Sequence, residues 1–313
     1  MQFISGVSQI IDEYDFFILD IWGVIHDGKS LYPNAIEALK LLREKKKKVC
    51  LLSNAPRRVS KVKEFLEKML ITNQYYDFII TSGETAYDYL ESNIKEDYRY
   101  FGKKYFYIGP KKDIDLIKTL NYSLVELASE ADFAITTGFD NDSSIIDEKI
   151  EQILAAKKYN LPMICANPDM VVVRIDGSKM PCAGVIAKEY EKIGGKVIYF
   201  GKPYSKVYES AISFFEKEFA QKIDRKKIIA IGDGIETDIK GANDFNLDSI
   251  LVLGGILGNQ LGINFLQKFD NKLINEASKS KLYSICNNEK IFPKFVISTL
   301  KIWEDILQEE KKR

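Results

Sequence analysis

Short apolar runs alternate along the chain with stretches in which apolar residues recur at helical spacing. The run at 16–19 ends in Asp20, the run at 49–52 ends in Ser53 and Asn54, and the run at 78–80 ends in Thr81, Ser82 and Gly83. Uninterrupted apolar runs bounded by turn residues read as strands buried on both faces, the kind that parallel sheets contain. Helical patterns lie between them. Ala35, Leu39 and Leu42 follow Pro33, which suits a first helical turn, and Val62, Phe65, Leu66 and Leu70 follow Ser60, a candidate N-cap. This alternation predicts an α/β fold on a doubly wound parallel sheet.

The alternation continues. Residues 105–108, 133–136 and 163–165 read as strands that end in turns such as Gly109-Pro110 and Asn167-Pro168-Asp169. The stretch 84–190 is long enough to be a small α/β domain of its own. A strand at 197–200 ends in Gly201-Lys202-Pro203, and a helix follows with Ser205 as its cap and Tyr208, Ile212, Phe215 and Phe219 on one face. Next, a strand at 228–231 ends in Gly232-Asp233, with Asp238 close behind, and one at 250–253 runs into Gly254-Gly255. The tail, 260–313, reads as mostly helical with an exposed charged end at 311–313.

Charge changes the picture by exclusion. Lys plus Arg and Asp plus Glu are 45 each in 313 residues, so the net charge of zero argues for neither nucleic acid nor a membrane surface as partner. Cys50, Cys165, Cys182 and Cys286 have no C-x-x-C spacing, which suggests buried thiols in a reducing compartment rather than a disulfide framework or a zinc site. The N-terminus lacks the basic region of a signal peptide, and no apolar run approaches a membrane span. A cytoplasmic protein is expected, and nothing in the pattern sets an oligomeric state.

Candidate chemistry sits at the strand ends. Asp20, Ser53 with Asn54, Lys202, and Asp233 with Asp238 each close or follow an apolar run, so one parallel sheet would bring them to a single edge. A charge at such a place is costly unless it meets a cation or hydrogen-bond donors. Three carboxylates cannot gather without a balancing cation. Oxygen ligands favour a hard ion, and Mg²⁺ is the usual one beside phosphate. A lysine and a Ser/Asn donor pair next to it make a place for a phosphoryl group.

With these residues in order, the chain resembles the haloacid-dehalogenase-like (HAD) superfamily, class IIA, the NagD-like and nitrophenyl-phosphatase-like phosphohydrolases. The four motifs match at Asp20, Ser53, Lys202 and Asp233/Asp238, and Asn167-Pro168-Asp169 matches this branch as well. The resemblance covers about residues 14–260. It implies a Rossmann-like core (1–83 and 191–313) with an inserted α/β cap domain of C2 type at 84–190. It further implies Mg²⁺-dependent hydrolysis of a small phosphorylated molecule through an aspartyl-phosphate. Asp20 is then the nucleophile, Lys202 neutralises it and the phosphate, and Ser53 holds phosphate oxygens. Ser53, Asn54, Asn167 and Asp169 bind substrate. Asp20, the backbone carbonyl of Trp22, Asp233 and Asp238 form the metal set.

Two departures stand out. The family's hydrolases carry a second Asp two residues after the nucleophile, as acid and base, and this chain has Trp22 there. Indole exchanges no proton near neutral pH, so the role is vacant. Ala55 stands where the branch commonly has Asn, which removes one contact to substrate or phosphate. The vacancy keeps open a second reading, a catalytically weak phosphate- or nucleotide-binding regulator on the same fold. Residues 23–30 also fit the P-loop pattern G-x-x-x-x-G-K-S/T, but Pro33 and a helical pattern that begins only there argue against a P-loop NTPase. His26, the chain's one histidine, reads as a loop residue, with a substitute acid as its other reading.

Overall fold

The computed structural model describes residues 1–263 and 274–302. In chain order the strands are β1 (Gln2–Phe3), β2 (Phe16–Asp20), β3 (Lys48–Ser53), β4 (Phe78–Thr81), β5 (Lys104–Ile108), β6 (Ser123–Val125) and β7 (Phe133–Thr136). They continue as β8 (Met163–Cys165), β9 (Val171–Val173), β10 (Lys179–Pro181), β11 (Val197–Tyr199), β12 (Ile228–Gly232), β13 (Asp248–Val252) and β14 (Phe295–Ile297). Among the described residues, a seven-stranded parallel sheet runs β1-β14-β13-β12-β2-β3-β4. A five-stranded parallel sheet runs β11-β8-β7-β5-β6, and β9 with β10 forms an antiparallel hairpin. This is a Rossmann-like core with an inserted α/β cap, since the smaller sheet lies between β4 and β12 in the chain.

All five residues of β2 are buried, as its unbroken apolar run requires of a central strand. Side-chain alternation divides the core between two faces. Phe17, Leu19, Val49, Leu51 and Ile231 pack on one face with Ala38, Leu39 and Leu42 of the helix Ala35–Glu44. Phe16, Ile18, Cys50, Leu52 and Ala230 pack on the other with Val207, Tyr208 and Phe215 of the helix Ser205–Glu218. Each fully buried side chain of this size contributes about 1.5–3 kcal/mol by leaving water. The register pairs Asp20 with Leu52 and Gly232 with Leu251, so Asp20, Ser53 and Asp233 come out at one edge. The four cysteines are buried and unpaired. No helix among the described residues is long and apolar enough to cross a membrane.

Several local readings need correction. β11 pairs with β8 in the smaller sheet, so Lys202 does not follow a strand of the sheet that carries Asp20. Its three residues are only half-buried, as suits a sheet edge, and an apolar run does not say which sheet it joins. The helix Val59–Lys68 has Arg58, not Ser60, at its N-cap position, because Glu84 accepts the Val59 N–H at 2.8 Å and binds the Arg58 guanidinium. A carboxylate 25 residues away has replaced the local cap. Leu70 lies beyond that helix, exposed, with φ 65°. Neither Pro33 nor Ser205 works as expected: Asn34 precedes the first helix, and Ser205 is the first helical residue, with Tyr204 before it. In the tail, the helix Glu276–Glu289 is followed by strand β14, and the charged end at 311–313 lies outside the described residues.

Candidate active site

Asp20 is the last residue of β2, and Lys202 reaches it across the edge. The Lys202 ammonium donates to Asp20 Oδ1 at 2.5 Å and to the Leu52 carbonyl at 3.1 Å, and pairs with Asp238 Oδ1 at 2.8 Å. At 3% exposed, that ammonium is stable only because it is fully partnered. Burial works against its charge, but Asp20, Asp238 and Asp169 outweigh it and raise its pKa. Asp20 is pushed well up, by burial first, with Lys202 opposing and Asp238 and Asp233 adding to the rise.

Asp233 follows β12 and sits between two glycines. A Cβ on Gly23 would lie 2.1 Å from Asp233 Oδ2 and one on Gly255 1.8 Å from it, and Gly23 also has φ +84°. Only glycine fits there. Asp233 Oδ2 accepts the Ile256 N–H at 2.9 Å, while burial, then Asp238, pushes the carboxyl up to about 7. Asp238, in the π-helical turn Ile235–Ile239, accepts the Gly234 N–H at 3.1 Å and the Thr237 hydroxyl at 3.4 Å. One oxygen each from Asp20, Asp233 and Asp238 lies within 4.8 Å of the others. Three buried carboxylates against one ammonium leave a negative balance, and an all-oxygen set of this size fits a hard divalent cation.

Ser53 closes β3, and its Oγ accepts the Ala55 N–H at 3.1 Å. Asn54 acts as a clasp between the two sheets. Its Oδ1 accepts the Lys202 N–H at 2.7 Å, and its Nδ2 donates to the Lys202 carbonyl at 3.1 Å and to Asp169 Oδ1 at 2.8 Å. Gly201, φ +115°, lets the chain approach: a Cβ there would meet Asn54 Oδ1 at 2.4 Å. This clasp carries Lys202 from the smaller sheet to Asp20. Asn167 Oδ1 accepts the Asp169 N–H at 3.0 Å, and burial pushes the Asp169 carboxyl up to about 6.

Trp22 points away from proton chemistry. Its Nε1–H donates to the Val173 carbonyl of β9 at 2.9 Å, and its ring leaves no room for a Cβ at Gly28, φ +88°. Asp27, which the sequence reading passed over, ties the same regions: Oδ1 accepts the N–H groups of Lys29 and Ser30, and Oδ2 accepts that of Ile175 at 3.1 Å. The Asp-Gly-Lys-Ser spacing is the signal that could have revealed that turn. His26 is wedged between Trp22 and Phe65, its Nδ1 accepts the Gly28 N–H at 2.9 Å, and burial lowers it to about 4. It stays neutral. Lys29 is exposed, 3.8 Å from Asp176, and the first helix begins at Ala35, so 23–30 has none of the helix start a P-loop needs.

A cavity of about 160 Å³ lies on Asp20, Ser53, Lys202 and Asp233, with Trp22, Val172 and Cys182 on its far side. It adjoins a cleft of about 700 Å³ between residues 168–171, Tyr199 and Tyr204 on one side and residues 234–237 and Ile256 on the other.

Family comparisons agree with this geometry. A haloacid dehalogenase-like hydrolase model matches residues 17–123, and a HAD-hydrolase-like model matches residues 199–263. The crystal structure of a haloacid dehalogenase-like hydrolase from Brucella suis 1330 is 28% identical, covers 95% of this chain and 99% of its own, and superposes with a TM-score of 0.78. The sugar-phosphatase AraL of Bacillus subtilis is 25% identical over 76% of this chain and 82% of its own. The 4-nitrophenylphosphatase of Schizosaccharomyces pombe is 25% identical over 80% of this chain and 87% of its own. With the strand-end residues gathered as described, the chain belongs to the haloacid dehalogenase-like hydrolases.

Proposed function

We propose that this protein is a Mg²⁺-dependent phosphohydrolase of small phosphorylated molecules, working through an aspartyl-phosphate at Asp20. The observation that carries the reading is the pairing of buried Asp20 with Lys202 beside Asp233 and Asp238. Asp20 attacks phosphorus, and Lys202 stabilises the charge on the phosphoryl oxygens as it develops. Ser53, on the same cavity, donates to one of those oxygens. Asp20, Asp233, Asp238 and the Trp22 carbonyl would hold the Mg²⁺, which when bound would screen the carboxylates from the incoming phosphate. Asn167 and Asp169 stand on the cavity wall where substrate enters.

The reading takes 84–190 as the cap that selects substrate and joins the β11 strand to its sheet. Relatives named for sugar phosphates and nitrophenyl phosphate support small phosphate esters as the substrate class. Release of phosphate from sugar phosphates and 4-nitrophenyl phosphate, with Mg²⁺ and with EDTA, tests it. Turnover that needs Mg²⁺ is expected. Binding of phosphate without turnover would favour the regulator, which the latching of Trp22 onto Val173 makes the second reading.

A further inference from the structure

We propose that Asp169 performs the proton exchange that Trp22 cannot. The inference rests on the phosphohydrolase reading above. In the first step Asp20 forms its bond to phosphorus and the bond from phosphorus to the substrate oxygen breaks. The carboxylic acid of Asp169 gives that oxygen its proton. In the second step a water attacks phosphorus, its proton goes to the Asp169 carboxylate, and the bond to Asp20 breaks, which restores both carboxyls.

The placement of Asp169 carries this. With the phosphoryl group on Asp20 in the 160 Å³ cavity, the organic part of the substrate must extend into the 700 Å³ cleft, so the scissile oxygen crosses the junction. Asp169, Thr237 and Ile256 line both spaces. Of these only Asp169 titrates near neutral pH, and the Thr237 hydroxyl already donates to Asp238. Asp169 is also held for the task. Asn54 Nδ2 fixes Oδ1, Asn167 fixes the backbone N–H, and Oδ2 makes no hydrogen bond among the described residues. Burial raises its pKa to about 6, with Lys202 and the Asn54 bond pulling down and Asp238 pushing up, so acid and base forms are both accessible.

Other candidates fail on position or chemistry. His26 is not on the cavity wall and its Nδ1 is engaged by Gly28. Both oxygens of Asp27 accept backbone N–H groups. Burial pushes the Cys182 thiol up, and Arg57, also on the wall, is paired with Asp113.

The test is quenched-flow kinetics of Asp169→Asn, which keeps an oxygen for the Asn54 donor and loses only the exchangeable proton. With 4-nitrophenyl phosphate, whose leaving group needs no acid, we expect a burst of one nitrophenolate per site. Steady turnover should then run about 10²- to 10⁴-fold below wild type, because the water has lost its base. With an alkyl phosphate the first step itself slows by a similar factor, and no burst appears. In Asp169→Ala, added formate should restore part of the lost rate. Asp169→Asn turning over both esters within a few-fold of wild type, or slowing both equally without a burst, overturns the proposal. Wild-type protein that releases phosphate from neither ester with Mg²⁺ present instead refutes the phosphohydrolase reading, and the proposal falls with it.

Discussion

The two walls of the small cavity are built from different forces. On the sheet-edge wall, Asp20, Lys202, Asp233 and Asp238 are nearly inaccessible groups, with Lys202 paired to Asp20 and Asp238 and one oxygen of each carboxylate within 4.8 Å of the others. On the facing wall, Trp22 and Val172 line the cavity, and behind them the segment 22–30 meets the hairpin β9–β10 through the Trp22–Val173 and Asp27–Ile175 hydrogen bonds and the exposed Lys29–Asp176 pair. Charge–charge interactions out of water are strong and unforgiving, because removing one partner leaves the other buried and unpaired. Hydrogen bonds of the second kind are worth about 0.5–1.5 kcal/mol each. Under the proposed function the first wall therefore tolerates little change, whereas the second can vary in sequence at a modest cost. Trp22 illustrates the latitude: it holds the hairpin where the family places a proton donor.

The comparison predicts a steep ranking of variants. Asp20→Asn should fall to background in a Mg²⁺-dependent phosphate-release assay while the circular dichroism spectrum stays that of the wild type. Lys202→Met should lose about 10²- to 10³-fold in kcat, the scale for removing one preorganised donor from a developing anion. Unfolding in urea with EDTA present should show it less stable by about 3–5 kcal/mol, as for a broken buried pair. A loss under threefold would mean that the ion cluster is not the strong wall described here.

The facing wall should yield smaller effects. Trp22→Phe keeps a ring over Gly28 and removes the bond to Val173, so the hairpin loosens by about 1 kcal/mol. Limited proteolysis at 171–181 should accelerate by about fivefold, the change in open population that this energy implies. Unchanged cleavage would show that the hairpin is held by other contacts. Smallest of all is Lys29→Ala, which removes only an exposed, solvent-screened pair at 3.8 Å. Its turnover should stay within a few-fold of wild type, and a complete loss would return the P-loop pattern to consideration.

How much of this was legible follows the same division. Asp20 and Asp233 were readable because a buried parallel strand has to end somewhere, and a carboxylate at that end needs a reason. The alternation of Phe16, Phe17, Ile18 and Leu19 between the two core faces is what the unbroken run announced. Lys202 was legible as a residue but not as a route: it arrives from the edge of the other sheet, held by the Asn54 clasp. The helix starts at Ser60 and Ser205 were misread because capping is a local rule, and at the first of them Glu84 overrides it from another element. Contacts 151 residues apart, such as Trp22 to Val173, leave no trace in spacing or periodicity. Thus the residues that end the strands of one sheet could be read ahead, and contacts between distant segments could not.

The proposed function stands or falls on passage of phosphoryl groups through the carboxylate of Asp20. Enzyme in excess over a phosphate-labelled ester, mixed with Mg²⁺ and quenched in acid within the first turnover, tests it directly. Proteolysis and mass spectrometry should then place the label on the peptide that contains Asp20, with no label in Asp20→Asn. Label on any other residue, or full turnover by Asp20→Asn, would contradict the account.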